Sequence, residues 1–340
     1  MSKYTSIISK FRNRSVLVIG DLVLDQYIKG SVTRISPEAP VPIVLVNETF
    51  YTPGGAANVA NNLASLGAKV TLIGKIGDDI EGGILKKELT KRRIRTEGVF
   101  IDPSISTIFK TRIIAQHQQV VRVDRESASL QEVDQVKKAF VFPFLRRHIK
   151  DFDAIIISDY GKGMIDLEVL NEIHSFVQTR KIPVIVDPKV EDLRFYGQVS
   201  SITPNKKEAE ASLKMVSEEA RKAFGIVSDK LDKIHEIEAN GQGLLKFLGV
   251  SSILITLGEQ GMYLFEHNKK PFPIPTRAQE VFDVSGAGDT AISVFALSLS
   301  AGANRQQAAD IANYAAGVVV GKMGAVAIEL NELKKAINIK

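Results

Sequence analysis

The feature that most constrains this chain is a series of short apolar runs, dense in β-branched residues and spaced along its length. SVLVIGD (15–21), KVTLIGKIG (69–77), AIIISD (154–159), PVIVD (183–187) and SSILITLG (251–258) have the length and composition of buried strands. Helical patterns lie between them, in AANVANNLASLG, DDIEGGILKKELTKR, LQEVDQVKKAF and DLEVLNEIHSFVQTRK. Strands alternating with helices predict βαβ units, and so an α/β fold with a mainly parallel central sheet flanked by helices. The stretch 207–248 also reads as helical, and its part KLDKIHEIEANGQGLLKFL is amphipathic enough to cover a sheet. No repeat, low-complexity tract or Pro/Gly/Ser-rich linker interrupts the sequence, so residues 1–340 are expected to fold as a single domain.

Two segments break the rhythm. Residues 27–50 and 105–125 alternate apolar and polar positions like strands with one wet face. Pro37, Pro40 and Pro42 in the first suit an edge or bent strand. Together the segments predict a small β lid beside the main sheet, with surface decoration as the alternative.

Composition removes several chemistries. Cysteine is absent, which excludes disulfides, thiolate nucleophiles and Cys-ligated zinc. The five histidines (His117, His148, His174, His235 and His267) show no metal-ligand spacing. The opening MSKYTSIISKFRNRS is too polar for a signal peptide and no apolar run approaches 18 residues, so a cytoplasmic protein with no membrane contact is expected. The net charge of +5 is interspersed, without the basic stripe and aromatics of a nucleic-acid surface. It suits an anionic small-molecule substrate, or is simply solvated surface. Neither a Walker A sequence nor a strand-following G-x-G-x-x-G is present, nor an H-R-D catalytic loop.

What remains is VFDVSGAGDTAISVFALSLSAG (281–302), where Gly286, Ala287 and Gly288 directly precede a small-residue helix. Small residues let backbone N–H groups approach a ligand, and a helix start adds partial positive charge. Asp289 follows in the first turn, placed either to take a proton from an attacking hydroxyl or to serve as a helix cap. In PGGAANVANNLASLG (53–67), Gly54 and Gly55 permit a tight turn. Asn58 there can meet a sugar hydroxyl or cap the helix. Asp25, past the first strand, can accept sugar hydroxyl protons or shape a turn. Asn205 and Glu208, three apart at a strand-to-helix junction, suit phosphate and a Mg²⁺-bound water, or equally a capping box.

In their order GDLVLD, PGGAANVANNLASLG, DPK, TPNKKE, TLGEQG and DVSGAGDT, these motifs resemble the PfkB/ribokinase family of carbohydrate kinases over nearly the whole chain. Within it, RISPEAPVP (34–42), with ISDYGKG and AAGVVVGKMG, resembles the heptose 7-phosphate kinases. The resemblance implies a ribokinase-like fold with a lid, commonly a homodimer through that lid, and ATP with Mg²⁺. It implies transfer to the anomeric hydroxyl of D-glycero-β-D-manno-heptose 7-phosphate, giving the 1,7-bisphosphate used in lipopolysaccharide precursor synthesis. A ribokinase- or fructokinase-type activity is the alternative, and an inactive sugar or nucleotide sensor a second.

By position the resemblance makes Asp289 the catalytic base and Gly286, Ala287 and Gly288 the anion hole. Asp25, Gly54, Gly55 and Asn58 become sugar contacts. Asn205 and Glu208 serve the ATP phosphates and Mg²⁺, Glu208 through water, while Thr256, Gly258 and Gly261 form a nucleotide loop. Asn313 lies on the helix expected near the adenine. Asp283 and Ser285 match a monovalent-cation (K⁺) loop, with Ser285 where relatives often carry Thr. A phosphosugar calls for cations, and Arg34, Lys110, Arg112, Arg122 and Lys189 are the candidates. No H-x-G-H motif of a nucleotidylyltransferase is present, so a separate adenylyltransferase is expected downstream.

Overall fold

The computed structural model describes residues 4–116, 118–126, 137–177, 182–278 and 280–338. The five apolar runs all form strands of one large sheet. They are β1 (Ser15–Gly20), β4 (Lys69–Ile76), β8 (Ala154–Ser158), β9 (Val184–Asp187) and β11 (Ser252–Thr256), where β2 and β3 (Leu22–Ile35, Pro42–Gly55) and β6 and β7 (Ile108–Ala115, Gln118–Arg125) belong elsewhere. Four further strands join the large sheet: β5 (Arg95–Ile101), β10 (Ser201–Ile202), β12 (Met262–Glu266) and β13 (Phe272–Ile274). Among the described residues its order is β13-β12-β11-β10-β9-β8-β1-β4-β5. Pairing is parallel from β5 through β11 and antiparallel for β12 and β13.

The period-two geometry of β1 divides the core. Val16 and Val18 pack on one face with the Ala56–Ser65, Ala287–Ser300 and Arg305–Val319 helices. Leu17 and Ile19 pack on the other, with the Leu167–Val177, Lys206–Lys214 and Ile234–Leu248 helices. Both faces are covered, which is why these strands read as continuous apolar runs.

The stretch 207–248 is three helices and not one. Glu218–Phe224 stands between the other two, started by the Ser217 cap and ended by left-handed Gly225. The last of them covers the sheet as its amphipathic pattern predicts, burying Ile237, Leu244 and Leu245. Of the predicted helix 130–140, residues 130–136 lie outside the described residues, and 178–181 of the next helix do too.

The two irregular segments pair as a second, four-stranded sheet of order β3-β2-β6-β7. Its first hairpin extends further than the pattern suggests, because β2 and β3 run on from Leu22 and to Gly55 inside the core. Pro37 and Pro40 fall in the hairpin loop and Pro42 opens β3, an edge strand that tolerates a missing amide donor. Among the described residues no helix is long and apolar enough to cross a membrane.

Gly20 ends β1 at the point where the sheet order reverses. A Cβ there would lie 1.9 Å from the Ser158 carbonyl oxygen and 2.9 Å from the Ala56 Cβ. Gly20→Ala is therefore expected to destabilise by about 2 kcal/mol or more. Gly83, inside the Ile80–Lys91 helix, has open space around it, so Gly83→Ala is expected to stabilise by about 0.5–1 kcal/mol. Thermal melts of the two variants check the contrast, and equal shifts would contradict the packing at Gly20.

Candidate active site

The carboxyl ends of β1, β8, β9 and β11 converge beside the start of the Ala287–Ser300 helix, where ligands of open α/β sheets bind. A cavity of about 240 Å³ opens there, lined by Tyr160, Asp187, Lys189, Asn205, Glu208, Thr256, Gly286, Gly288 and Asp289 among others.

Asp289 is buried at its base. Gly286 is the N-cap of its helix, in the left-handed region at φ 77°, and no side chain caps the helix. The capping alternative for Asp289 therefore fails. Its Oδ2 instead accepts from Asn58 Nδ2 (2.6 Å) and its Oδ1 from the Tyr160 hydroxyl (2.9 Å). Burial pushes its carboxyl up to about 6, with those two hydrogen bonds opposing the rise. The Ala287 amide donates to the Val284 carbonyl (3.2 Å), while the Gly288 and Asp289 amides meet no acceptor among the described residues. An ionisable carboxylate beside free helix-start amides can take a proton while the amides receive an anion.

Asn58 is not a cap either, since Gly55 holds that position. Asn62 Nδ2 donates to the Asn58 carbonyl (3.0 Å), and Asn62 Oδ1 accepts from the Thr290 hydroxyl (2.9 Å) and the Ile328 amide (3.1 Å). Asp25 is buried in β2, and Gly54 must be glycine because a Cβ would sit 2.5 Å from its Oδ2. Arg112 of β6 forms an ion pair with Asp25 and lies over the Tyr27 ring. Burial pushes the Asp25 carboxyl up and Arg112 offsets part of that.

Lys110 and Arg112 share a strand face, as two-residue spacing requires, and Lys110 lies 4.0 Å from Asp124. Arg122 also pairs with Asp124 (2.9 Å). Arg34 is exposed at the far end of β2, opposite Ile43. Of the five cationic candidates, Lys189 alone lines the cavity described above.

Asn205 and Glu208 do form a capping box, Asn205 Oδ1 accepting from the Glu208 amide (3.1 Å) and Glu208 Oε2 from the Asn205 amide (2.9 Å). They also line the cavity. Burial pushes Glu208 up, and it pushes Asp187 well above the carboxylate range, with Asp289 and Glu208 adding to the latter. Among the described residues no three His, Asp or Glu side chains form a metal cage. Two crowded carboxyls facing one cavity nonetheless fit Mg²⁺, which keeps most of its waters and binds through one or two carboxylates plus phosphate.

Thr256 bridges to Asn205 and lines the cavity; Gly258 and Gly261 follow it in a turn. Asn313 is buried and its amide donates to the Pro275 carbonyl (2.6 Å). Asp283 Oδ1 accepts from the Ser285 amide and Oδ2 from the Gly324 amide, both at 2.9 Å. Burial alone would raise Asp283, but the Ser285 side chain and these amides, with Arg112 nearby, outweigh it and hold the carboxyl below its ordinary value.

Four site residues carried no role in the sequence reading. Asp21 accepts three backbone amides, from Tyr160 (2.9 Å), Lys162 (3.0 Å) and Met164 (3.0 Å). Asp159 accepts from the Gly161 amide and the Tyr196 hydroxyl. Tyr160 and Asp187 complete the set. All four stand at or just past the carboxyl end of a predicted strand, which was the available signal.

The sequence profile of the "pfkB family carbohydrate kinase" matches residues 13–331. The bifunctional protein HldE of Desulfatibacillum aliphaticivorans is 43% identical over 328 residues, covering 96% of this chain and 64% of that protein. That of Helicobacter acinonychis (strain Sheeba) is 42% identical over 325 residues, covering 96% of this chain and 66% of its own length. The chain thus spans about 64% of the first of these relatives. Arabidopsis thaliana ribokinase complexed with ribose and ATP superposes with a TM-score of 0.71 at 18% identity, covering 96% of this chain and 99% of that one. Escherichia coli phosphofructokinase-2 in complex with potassium gives 0.74 at 18%, covering 95% and 98%. The fold is ribokinase-like, and the chain belongs to the pfkB family of carbohydrate kinases, which move a phosphoryl group from ATP to a sugar hydroxyl.

Proposed function

We propose that the chain phosphorylates D-glycero-β-D-manno-heptose 7-phosphate at its anomeric hydroxyl, using ATP, to give the 1,7-bisphosphate of lipopolysaccharide precursor synthesis. The observation that carries the kinase chemistry is the buried Asp289 carboxylate beside free helix-start amides, in a cavity with Lys189, Asp187 and Glu208. The heptose assignment rests on the RISPEAPVP segment and on the likeness to the HldE proteins.

In this reading Asp25, Gly54, Gly55 and Asn58 hold the sugar, Asn58 through the amide hydrogen that Asp289 does not take. The anomeric oxygen attacks the γ-phosphorus as the bond to the β,γ-bridging oxygen breaks and ADP leaves. Asp289 takes the hydroxyl proton. The Gly286–Gly288 turn, through the free amides at Gly288 and Asp289, and Lys189 receive the charge on the transferring group. Asn205, Thr256, Gly258 and Gly261 seat the phosphates, and the helix bearing Asn313 borders the adenine. Glu208 and Asp187 would hold Mg²⁺ through water, and the ion neutralises phosphate charge when bound. Asp283 and Ser285 order the loop that precedes the anion hole, where K⁺ is the candidate ion.

The smaller sheet acts as a lid that excludes water. Its exposed Val121 and Val123 on β7 support a homodimer formed through it. The later adenylyl transfer belongs to an adenylyltransferase unit outside these residues, and the kinase itself works in the cytoplasm. One observation favours a different sugar: Arg112 and Lys110 already face Asp25 and Asp124, as cations serving an uncharged substrate would.

Asp289→Asn is expected to keep the thermal midpoint and ATP affinity while lowering kcat about a thousandfold, measured by ADP release. Turnover within threefold of wild type would remove Asp289 from the reaction. A base must be ionised and burial raises this one, so kcat/KM is expected to fall about tenfold per pH unit below about 6. A flat profile from pH 5 to 8 would contradict that.

Glu208→Gln keeps an acceptor for the Asn205 amide but loses the charge. It should raise the Mg²⁺ requirement at unchanged thermal midpoint, whereas loss of stability alone would leave the capping box as its whole role. Across heptose 7-phosphate, unphosphorylated heptose, ribose, fructose and fructose 6-phosphate, the first should exceed the rest in kcat/KM by about a hundredfold or more. Equal efficiency on phosphorylated and unphosphorylated heptose would return the chain to the general sugar kinases.

A further inference from the structure

We infer that Tyr160 is a positioning residue for the base, its hydroxyl fixing the Asp289 carboxylate at the oxygen that Asn58 does not hold. The inference rests on the reading of Asp289 as the base. Each carboxylate oxygen is held by a donor from a different part of the chain: Oδ2 by Asn58 of the Ala56–Ser65 helix, Oδ1 by Tyr160 of the loop after β8. A carboxylate gripped at both oxygens cannot rotate about its Cβ–Cγ bond. Its remaining lone pairs therefore keep one direction, which proton abstraction needs more than it needs proximity alone.

The grip is itself braced. The backbone of Tyr160 is tied to the end of β1, because Asp21 accepts the Tyr160, Lys162 and Met164 amides. The same loop is held from a second side, where Asp159 accepts the Gly161 amide and Tyr196 donates its hydroxyl to Asp159. On the other flank Asn62 secures Asn58 and is secured by Thr290 and Ile328. A buried polar network in which the members are satisfied is rigid, and it specifies one arrangement.

Tyrosine is suited to this position because its hydroxyl remains a donor. Burial first, then the carboxylates of Asp289 and Asp187, push the phenol well above its ordinary value. The charged groups bearing on the pair are Asp25 from β2 and Asp187 from the end of β9. Lys189, beyond β9, is the cation that offsets Asp187. With no cation paired to Asp289 among the described residues, its ionised form depends on the helix start and the two hydrogen bonds. Losing the phenol hydroxyl should then leave burial less opposed, and the carboxyl should hold its proton to higher pH.

The test uses Tyr160→Phe, which keeps the ring, alongside Asp289→Asn and wild type. The Asp289 carboxyl is followed by ¹³C NMR titration of the ligand-free protein, identified by its absence in Asp289→Asn, and kcat is read by ADP release with the sugar that wild type turns over best. Tyr160→Phe is expected to raise the carboxyl midpoint by about one pH unit and move the acid limb of kcat/KM with it. It should lower kcat about tenfold, leaving the ATP KM within about twofold and the thermal midpoint unchanged. An unmoved carboxyl midpoint together with unchanged kcat would overturn the role of Tyr160 while leaving Asp289 the base. Undiminished turnover in Asp289→Asn would instead overturn the reading beneath it, so the two failures are distinguishable.

Discussion

A carboxylate buried without a cation is the constraint around which this structure is arranged. Asp289 sits in the first turn of its helix with no lysine or arginine against it among the described residues. Moving such a charge out of water costs several kcal/mol unless dipoles replace the water. Here the replacements are the helix start, one amide and one phenol, each from a different element. The Ala56–Ser65 helix packs on the sheet face it shares with the Ala287–Ser300 helix, so Asn58 and Asn62 reach Asp289 and Thr290 along one contact. Ala56, Ala57 and Ala60 of the one helix and Ala291 of the other are small and buried, which suits close packing.

The smaller sheet connects to this centre through Tyr27. Its hydroxyl accepts from the Ala325 amide (3.1 Å), its ring stacks on Phe50, and Arg112 lies over the ring while pairing with Asp25. Ala325 in turn borders Gly286, where a Cβ would meet it at 3.3 Å. A buried ion pair such as Asp25–Arg112 adds little net stability, because desolvation consumes most of the attraction. What it does supply is orientation, since each partner has one low-energy geometry facing the other. Tyr27 of β2 is thereby linked to the turn that precedes Asp289, through a ring, a backbone amide and a glycine.

Much of this was legible in the sequence, and the parts that were not share a cause. The five strand runs declare themselves because both faces of the sheet are covered, so Val16 and Leu17 are equally apolar although they face opposite ways. β10, only two residues long, and β13, which carries Pro273, give no periodic signal of their own. Their place comes from neighbours already in the sheet. Asp289 and Asn58 stand out beside glycine clusters, but their hydrogen bond joins positions 231 residues apart, which no local pattern encodes. Tyr160 is harder still: a single tyrosine after a strand looks like any half-buried aromatic until its hydroxyl is seen on a carboxylate.

Asn205 and Glu208 show that a structural role does not exclude a place in the cavity wall. The capping box is real, with both reciprocal hydrogen bonds formed. Yet the box uses one oxygen of the Glu208 carboxylate, Oε2, and Glu208 also lines the cavity with Asp187 and Lys189. Capping fixes the first turn of the helix, and the fixed turn holds Glu208 at the cavity wall without the rotamer freedom a glutamate otherwise has. The same reasoning applies to Asp21, whose three amide bonds look wholly structural, since those bonds hold the loop that presents Tyr160. Here the groups that make hydrogen bonds to backbone determine where the groups that face the cavity can stand.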